Sequence, residues 1–133
     1  MYKESIESYK QALRIDPDYG KAYYNLGVAY DNSGMYKEAI ESYKQAISIN
    51  PDSAEAHFSL GGAYVKSGMY KEAIEAFKQS IRVDPDSVQA HYNLGIAYVL
   101  FLERDSAVEQ YNILKSLDPE LANKLFGIMR TYK

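Results

Sequence analysis

Cysteine and tryptophan are both absent from the 133-residue chain, and proline occurs only four times. Without cysteine the chain can form no disulfide, offers no thiolate nucleophile and lacks the ligand of the commonest structural zinc sites. The absence does not fix the compartment, because a cysteine-free chain is stable in either redox environment. The localisation is therefore open, with the cytoplasm favoured.

Long apolar runs and blocks of one charge are missing as well. No apolar stretch approaches the roughly 20 residues that a membrane-spanning helix needs. The 15 basic and 18 acidic residues are interspersed along the chain and give a net charge of −3. Since binding to phosphates needs a concentrated basic surface, we expect neither a nucleic acid nor a membrane as partner.

Sequence patterns of catalysis and cofactor binding are also absent. The chain has no glycine-rich phosphate loop, no EF-hand spacing and no Ser-His-Asp order. The two histidines, His57 and His91, are 34 residues apart and have no second ligand at metal-binding spacing. We interpret both as packing residues, and we expect no enzyme activity, no metal and no cofactor.

Tyrosine is the abundant aromatic residue, with 14 copies against four of phenylalanine, and it recurs at a fixed interval. The segment MYKEAIE at 35–41 returns at 69–75, and MYKESIE stands at 1–7. The Leu-Gly pairs begin at Leu26, Leu60 and Leu94, and the prolines are Pro17, Pro51, Pro85 and Pro119. A period of 34 predicts a repeat array in which each unit buries its apolar face on its neighbours.

Each unit has the pattern of two helices. In the first full unit, one helix is predicted from about 21 to 33 and ends at Gly34, and the next runs from about 36 to 49. The second helix ends before Pro51, because proline disfavours helical geometry in the residue that precedes it. A glycine inside a helix costs about 1 kcal/mol relative to alanine. Its return at Gly27, Gly61 and Gly95 indicates that paired helices approach closely there.

The residues that recur every 34 positions resemble the sequence pattern of the tetratricopeptide repeat (TPR) family. The matching residues are Leu26, Gly27, Tyr30, Ala39, Tyr43, Ala46 and Pro51; then Leu60, Gly61, Tyr64, Ala73, Phe77 and Pro85; then Leu94, Gly95, Tyr98, Ala107, Tyr111 and Pro119. The resemblance implies an all-α fold, a TPR α-solenoid in which antiparallel helix pairs form a right-handed superhelix. It also implies a protein or peptide as partner.

The whole chain, residues 1–133, is predicted to be a single TPR array. We assign residues 1–19 to the second helix of a partial repeat, 20–53, 54–87 and 88–121 to full repeats, and 122–133 to a partial first helix. This division predicts a piece of a longer array. Apolar stripes at the two ends then complement each other and predict head-to-tail self-association; they consist of Ile6, Tyr9, Ala12 and Leu13, and of Leu125, Ile128 and Tyr132.

The resemblance implies that the first helix of each hairpin lines a concave groove. The predicted groove residues are Tyr24, Asn25, Val28, Phe58, Ser59, Tyr92, Asn93, Ile96 and Phe126. Aromatic rings supply contact area at low entropic cost, and asparagine can both donate to and accept from a peptide backbone. Asn25 and Asn93 stand at equivalent positions and are similar to the row of asparagines with which some TPR arrays bind the main chain of an extended peptide. Ser59 stands at the equivalent position between them and interrupts this row. The alternative is that these residues pack adjacent hairpins together.

The third unit departs from the others at its turn. Val99, Leu100, Phe101 and Leu102 stand where the first unit has Asp31-Asn32-Ser33-Gly34. If exposed, they form an apolar patch of the kind that marks a contact surface. The alternative is that the last helix folds back and covers them.

The sequence thus predicts a protein–protein interaction scaffold that binds a peptide or protein segment in the concave groove. One alternative is the substrate-recruiting TPR arm of a larger enzyme such as a glycosyltransferase. Another is a structural solenoid that assembles with itself.

Overall fold

The computed structural model describes residues 2–132, which fold into eight α-helices joined by short turns, with no strand in that range. The helices are α1 (Tyr2–Ile15), α2 (Gly20–Asn32), α3 (Tyr36–Ile49), α4 (Ala54–Lys66), α5 (Tyr70–Val83), α6 (Val88–Leu100), α7 (Arg104–Leu117) and α8 (Pro119–Thr131). The predicted all-α TPR solenoid is confirmed. None of the helices between residues 2 and 132 is both long and apolar enough to cross a bilayer.

The curvature of the stack follows from which helices approach one another. Each helix packs on its neighbours in the chain, and α4 also contacts both α2 and α6. In the part of the chain that the structure describes, no two Cα atoms within 8 Å join α3 to α5 or α5 to α7. Since the inner elements of a curved stack lie closer together than the outer ones, α2, α4 and α6 form the concave side. The helices α3, α5 and α7 form the convex side.

Glycine at two positions allows the closest contacts inside the hairpins. A Cβ atom added to Gly27 would lie 2.6 Å from Cδ1 of Tyr43, and one added to Gly61 would lie 2.6 Å from Cε1 of Phe77. Both rings are buried in the core. The close approach that the repeated glycine predicts is therefore present, and it fixes how each first helix sits on its second helix.

The same left-handed turn links the helices of all three hairpins. Gly34 and Gly68 have φ values of 77° and 74°, and Leu102 has a φ of 63° at the equivalent position. The turn closes each time with a backbone hydrogen bond, which in the third hairpin runs from Glu103 N–H to the Tyr98 carbonyl at 2.8 Å. A leucine there costs roughly 1–2 kcal/mol, because its Cβ crowds the backbone in this conformation.

The last helix, α8, packs differently from the earlier first helices. Like α4 and α6, it contacts the two helices that precede it, but its Leu125 is fully buried. A Cβ atom on Gly95 would lie 2.6 Å from Cδ2 of Leu125, which thus occupies the place that the aromatic rings take in the other hairpins. Arg104 donates from Nη1 to the Met129 carbonyl oxygen at 3.1 Å. The prediction that Leu125 belongs to an open apolar stripe is wrong, because α8 folds onto Gly95.

The predicted apolar patch of the third unit is only partly exposed. Val99 is 5% exposed and belongs to the core cluster together with Met129, so its assignment to a contact patch is wrong. The physical reason is that α8 covers it. Leu100 is half-buried, whereas Phe101 and Leu102 are exposed, Leu102 to 80%. The last helix therefore covers Val99, as one alternative predicted, but it leaves Phe101 and Leu102 in the turn exposed.

Candidate functional site

Two of the predicted groove aromatics brace their own hairpins. The Tyr24 ring lies 5.7 Å from that of Tyr43 between centroids, and the Phe58 ring lies 5.8 Å from that of Phe77. Both Tyr24 and Phe58 remain half-buried rather than buried. They therefore pack on the second helix with one side and face the concave surface with the other, so the packing alternative holds for part of each ring.

The third and fourth aromatics of that column do not repeat this arrangement. Tyr92 is half-buried, but the ring next to Tyr111 is that of Phe126, at 5.7 Å between centroids. Phe126 is 45% exposed. Because Leu125 inserts beside Gly95, α8 is out of register with the earlier first helices, and Phe126 does not continue the column.

Asn25, Ser59 and Asn93 stand at equivalent positions in the three repeats, and Ser59 has a different contact from the two asparagines. The Tyr24 hydroxyl and the Ser59 Oγ are 3.1 Å apart and share a hydrogen bond between α2 and α4. Burial raises the pKa of the Tyr24 hydroxyl, and the nearby Glu55 raises it further. Asn25 and Asn93 are half-buried, and their side chains form no hydrogen bond with any residue in 2–132. Their amide groups are thus free to meet a ligand.

A cavity of about 350 Å³, the groove cavity, lies between α2, α4 and α6. It brings together four of the predicted residues, Phe58, Ser59, Asn93 and Ile96. Tyr24 and Asn25 line a second cavity of about 450 Å³, between the first two hairpins. Val28 and Tyr92 are half-buried and line neither of these two cavities.

Gly62 opens the groove cavity. A Cβ atom added to Gly62 would meet nothing within 4 Å, in contrast to its neighbour Gly61. The equivalent positions in the adjacent repeats carry Val28 and Ile96, so the second repeat lacks a branched side chain that both neighbours have. Sequence reasoning missed this residue, although the Gly-Gly pair that occurs once in the chain was a usable signal.

A fixed ion pair borders the groove cavity. Lys66 Nζ donates to Asp31 Oδ1 at 2.7 Å, and the Tyr43 hydroxyl donates to Asp31 Oδ2 at 3.3 Å. The Asp31 side chain is only 13% exposed. Burial raises the pKa of Tyr43 well above its usual value, and the Asp31 carboxylate adds to the shift. Val65 and Phe77 complete the apolar wall. Neither member of the ion pair was predicted, because both lie one helical turn beyond the chosen columns.

Models of the tetratricopeptide repeat match most of the chain. One described as "Tetratricopeptide repeat" matches residues 20–53, one described as "TPR repeat" matches 1–34 and 61–100, and another "Tetratricopeptide repeat" model matches 42–75. The second of these alone covers more than half of the chain. The chain therefore belongs to the tetratricopeptide repeat family, and its general role is that of a protein-interaction scaffold.

Among solved structures, the chain is similar to MamA proteins. A crystal structure of MamA superposes with a TM-score of 0.86 at 27% identity over 98% of this chain and 88% of that one. A second MamA crystal structure has a TM-score of 0.84 at 30% identity, over 92% and 67% of the two chains. MamA 41-end from Desulfovibrio magneticus RS-1, at 24% identity, a TM-score of 0.83 and 90% and 67% coverage, shares the fold. No curated protein sequence matches significantly.

Proposed function

We propose that the chain binds an extended segment of another protein along its concave face, with one apolar side chain of that segment in the groove cavity. The observation that carries the proposal is the opening at Gly62, where a Cβ atom would meet no neighbour within 4 Å. The cavity of about 350 Å³ falls within the range of ligand pockets, about 300–1,000 Å³. Phe58, Val65 and Ile96 give it apolar walls.

The asparagine amides support the extended form of the ligand. A peptide in extended conformation offers backbone N–H and C=O groups at regular intervals, and a carboxamide can satisfy one of each. Asn93 lines the groove cavity and Asn25 lines the neighbouring one. Ser59 cannot make the paired contact of a carboxamide, because it offers a single hydroxyl that already shares a hydrogen bond with Tyr24. Main-chain binding would therefore occur at two points that flank Ser59.

The groups around the groove cavity favour binding over catalysis. Its one carboxylate, Asp31, is paired with Lys66 and accepts a hydrogen bond from the Tyr43 hydroxyl. No histidine lines the cavity. We therefore infer that the chain is not an enzyme. The alternative from the sequence, a substrate-recruiting arm of a larger enzyme, would bind through the same groove.

A display experiment tests the proposal. Random-sequence peptides are selected on the intact chain, and each enriched peptide is then measured on Gly62→Ile and on Gln45→Ile. Gly62→Ile restores the branched side chain of the neighbouring repeats and should weaken binding at least tenfold, about 1.4 kcal/mol. Gln45→Ile places the same side chain on an exposed position of α3 and should leave binding unchanged. Equal affinity of the three proteins for every peptide would contradict the proposal.

Head-to-tail self-association is a second candidate. It is favoured by Ile15 at the C-terminal end of α1, which is 86% exposed, whereas its equivalent in α3, Ile49, lies beside Gly20 and is 39% exposed. It is disfavoured by Ile6 and Leu125, which belong to the two predicted stripes and are both buried. Sedimentation velocity over a wide concentration range tests it. A monomer at every concentration would contradict it, and a concentration-dependent shift that Ile15→Lys abolishes would support it.

A further inference from the structure

The convex face carries a cavity of about 450 Å³ between α3, α4 and α5, the convex pocket. Its walls are mainly apolar and include Ile47, Leu60 and Tyr64. His57 from α4 and Ala76 from α5 also line it. The pocket is separate from the groove, because it opens between second helices rather than along first helices.

His57 presents one unused nitrogen atom to this pocket. Its Nε2 lies 2.8 Å from the Pro51 carbonyl oxygen, which can only accept, so Nε2 carries the hydrogen and donates. Its Nδ1 has no hydrogen-bond partner among residues 2–132. Since no fully buried side-chain nitrogen or oxygen in that range lacks a partner, this Nδ1 retains some solvent contact although His57 is 8% exposed.

The next repeat has the same histidine, but its second nitrogen is occupied. His91 Nε2 donates to the Pro85 carbonyl oxygen at 2.8 Å, and His91 Nδ1 lies 2.7 Å from the Gln110 carboxamide at Oε1. Because Nδ1 of the neutral ring can only accept, this hydrogen bond forms with the carboxamide turned over so that its N–H group faces Nδ1. Gln110 and His91 are both buried. The position equivalent to Gln110 in the second repeat is Ala76, 34 residues earlier. The convex pocket is thus the place that a glutamine side chain fills one repeat later.

The chemistry of the histidine selects a carboxamide as the occupant. With Nε2 donating, Nδ1 of the neutral ring accepts. A carboxamide can donate an N–H group to it, whereas a carboxylate has no hydrogen to donate. The charged residues that line the pocket are balanced, with Lys44 and Lys71 against Glu72 and Glu75. A neutral polar group beside apolar atoms is therefore the best match.

We propose that the convex pocket is a second protein-binding site, which receives a glutamine side chain from an apolar segment of a partner protein. The carboxamide of the partner's glutamine forms a hydrogen bond with His57 Nδ1, in the same way that the carboxamide of Gln110 bonds to His91 Nδ1. The aliphatic part of the glutamine and its apolar neighbours pack on Ile47 and Leu60. This proposal does not depend on the groove, because no residue lining the convex pocket also lines the groove cavity.

Nuclear magnetic resonance with capped single residues tests the proposal on the intact chain. The probes are N-acetylglutamine methylamide and the matching glutamate and leucine compounds, which share the same two backbone amides. The glutamine probe should shift the imidazole Nδ1 resonance of His57 and bind several-fold more tightly than either of the others. No shift at His57, or an equal response to the leucine probe, would overturn the proposal.

Two variants of the chain provide matched controls. Ala76→Gln copies the third repeat into the second, so it should fill the convex pocket and abolish the His57 shift while raising the melting temperature. Gln110→Ala does the reverse and should create a new response of His91 to the glutamine probe. If the His57 response persists in Ala76→Gln, or His91 gains none in Gln110→Ala, the probe binds elsewhere and the assignment is wrong.

Discussion

Gly61 and Gly62 are adjacent in α4, yet replacing each by alanine should have different effects on stability. Both substitutions remove a glycine from a helix interior, which by itself stabilises the fold by about 1 kcal/mol. At Gly62 nothing opposes this gain, because a Cβ atom there meets nothing within 4 Å. Gly62→Ala should therefore raise the free energy of unfolding by about 1 kcal/mol.

At Gly61 the gain is opposed by a steric clash. The new Cβ would lie 2.6 Å from Cε1 and 2.8 Å from Cζ of Phe77, about 1 Å inside the optimal carbon–carbon distance. Phe77 is 1% exposed and packed in the core cluster, so a shift of its ring disrupts other core contacts. Overpacking of this kind costs about 1–3 kcal/mol, occasionally more. The two variants should therefore differ by about 1–3 kcal/mol, with Gly61→Ala the less stable.

Urea unfolding followed by circular dichroism at 222 nm measures this difference. A change of 1 kcal/mol corresponds to roughly 4 °C in the melting temperature of a chain of this size, so thermal scans provide an independent check. The two variants are controls for each other, since they share the same helix, the same residue change and the same effect on the unfolded chain. If both stabilise the protein equally, the close packing of Phe77 on α4 is refuted.

Three further predictions concern other parts of the array. Leu102→Gly should raise the free energy of unfolding by roughly 0.5–1 kcal/mol, since it removes left-handed strain at an exposed side chain; a loss in urea unfolding would contradict this. Leu125→Ala should lower it by about 2–5 kcal/mol, because the side chain is fully buried against Gly95; a loss below about 1 kcal/mol would show that α8 is not docked. Burial raises the pKa of the Tyr43 hydroxyl, and the Asp31 carboxylate adds to the shift. The protonated hydroxyl therefore contributes to stability below about pH 10, the pKa of tyrosine in the unfolded chain, and this contribution is lost as the pH rises from there towards the pKa in the folded protein. Tyr43→Phe should therefore lose less stability than the parent chain between neutral and alkaline pH, and parallel curves would contradict the assignment.

The helices and hairpins could be predicted from the sequence because the signals are local and repeated. A prediction of about 36 to 49 for one second helix compares with Tyr36–Ile49 in α3. The turn glycines and the proline that follows each second helix act within a few residues of themselves. Three copies of one pattern also remove the ambiguity that a single copy would leave.

The placement of the last helix could not be predicted in this way. In the 34-residue repeat, Leu125 is at the position equivalent to His91. Its side chain nevertheless inserts beside Gly95, whereas the equivalent glycines of the earlier hairpins lie beside a tyrosine or phenylalanine ring of the second helix. This choice depends on how α8 packs against two helices at once, which no local pattern encodes. Two errors follow from it: Val99 is covered, and Phe126 leaves the aromatic column.

The groove was predicted in outline because helical periodicity defines which side chains share a face. Its details depend on distances between repeats. Asp31 and Lys66 are 35 residues apart in the chain and meet only because α2 and α4 are stacked. Gly62 and Ala76 each leave space because an equivalent position in another repeat carries a larger side chain, Ile96 for Gly62 and Gln110 for Ala76. These differences are found only by comparing the repeats position by position.

Binding of an extended segment to the first helices of the hairpins, on the concave face, can be tested directly. The most direct measurement uses methyl-labelled protein with a display-selected peptide and records intermolecular nuclear Overhauser effects. We expect contacts from an apolar side chain of the peptide to the methyl groups of Val65 and Ile96, which line the groove cavity. Contacts confined to Val108 and Ile113, which are exposed on α7, would contradict it.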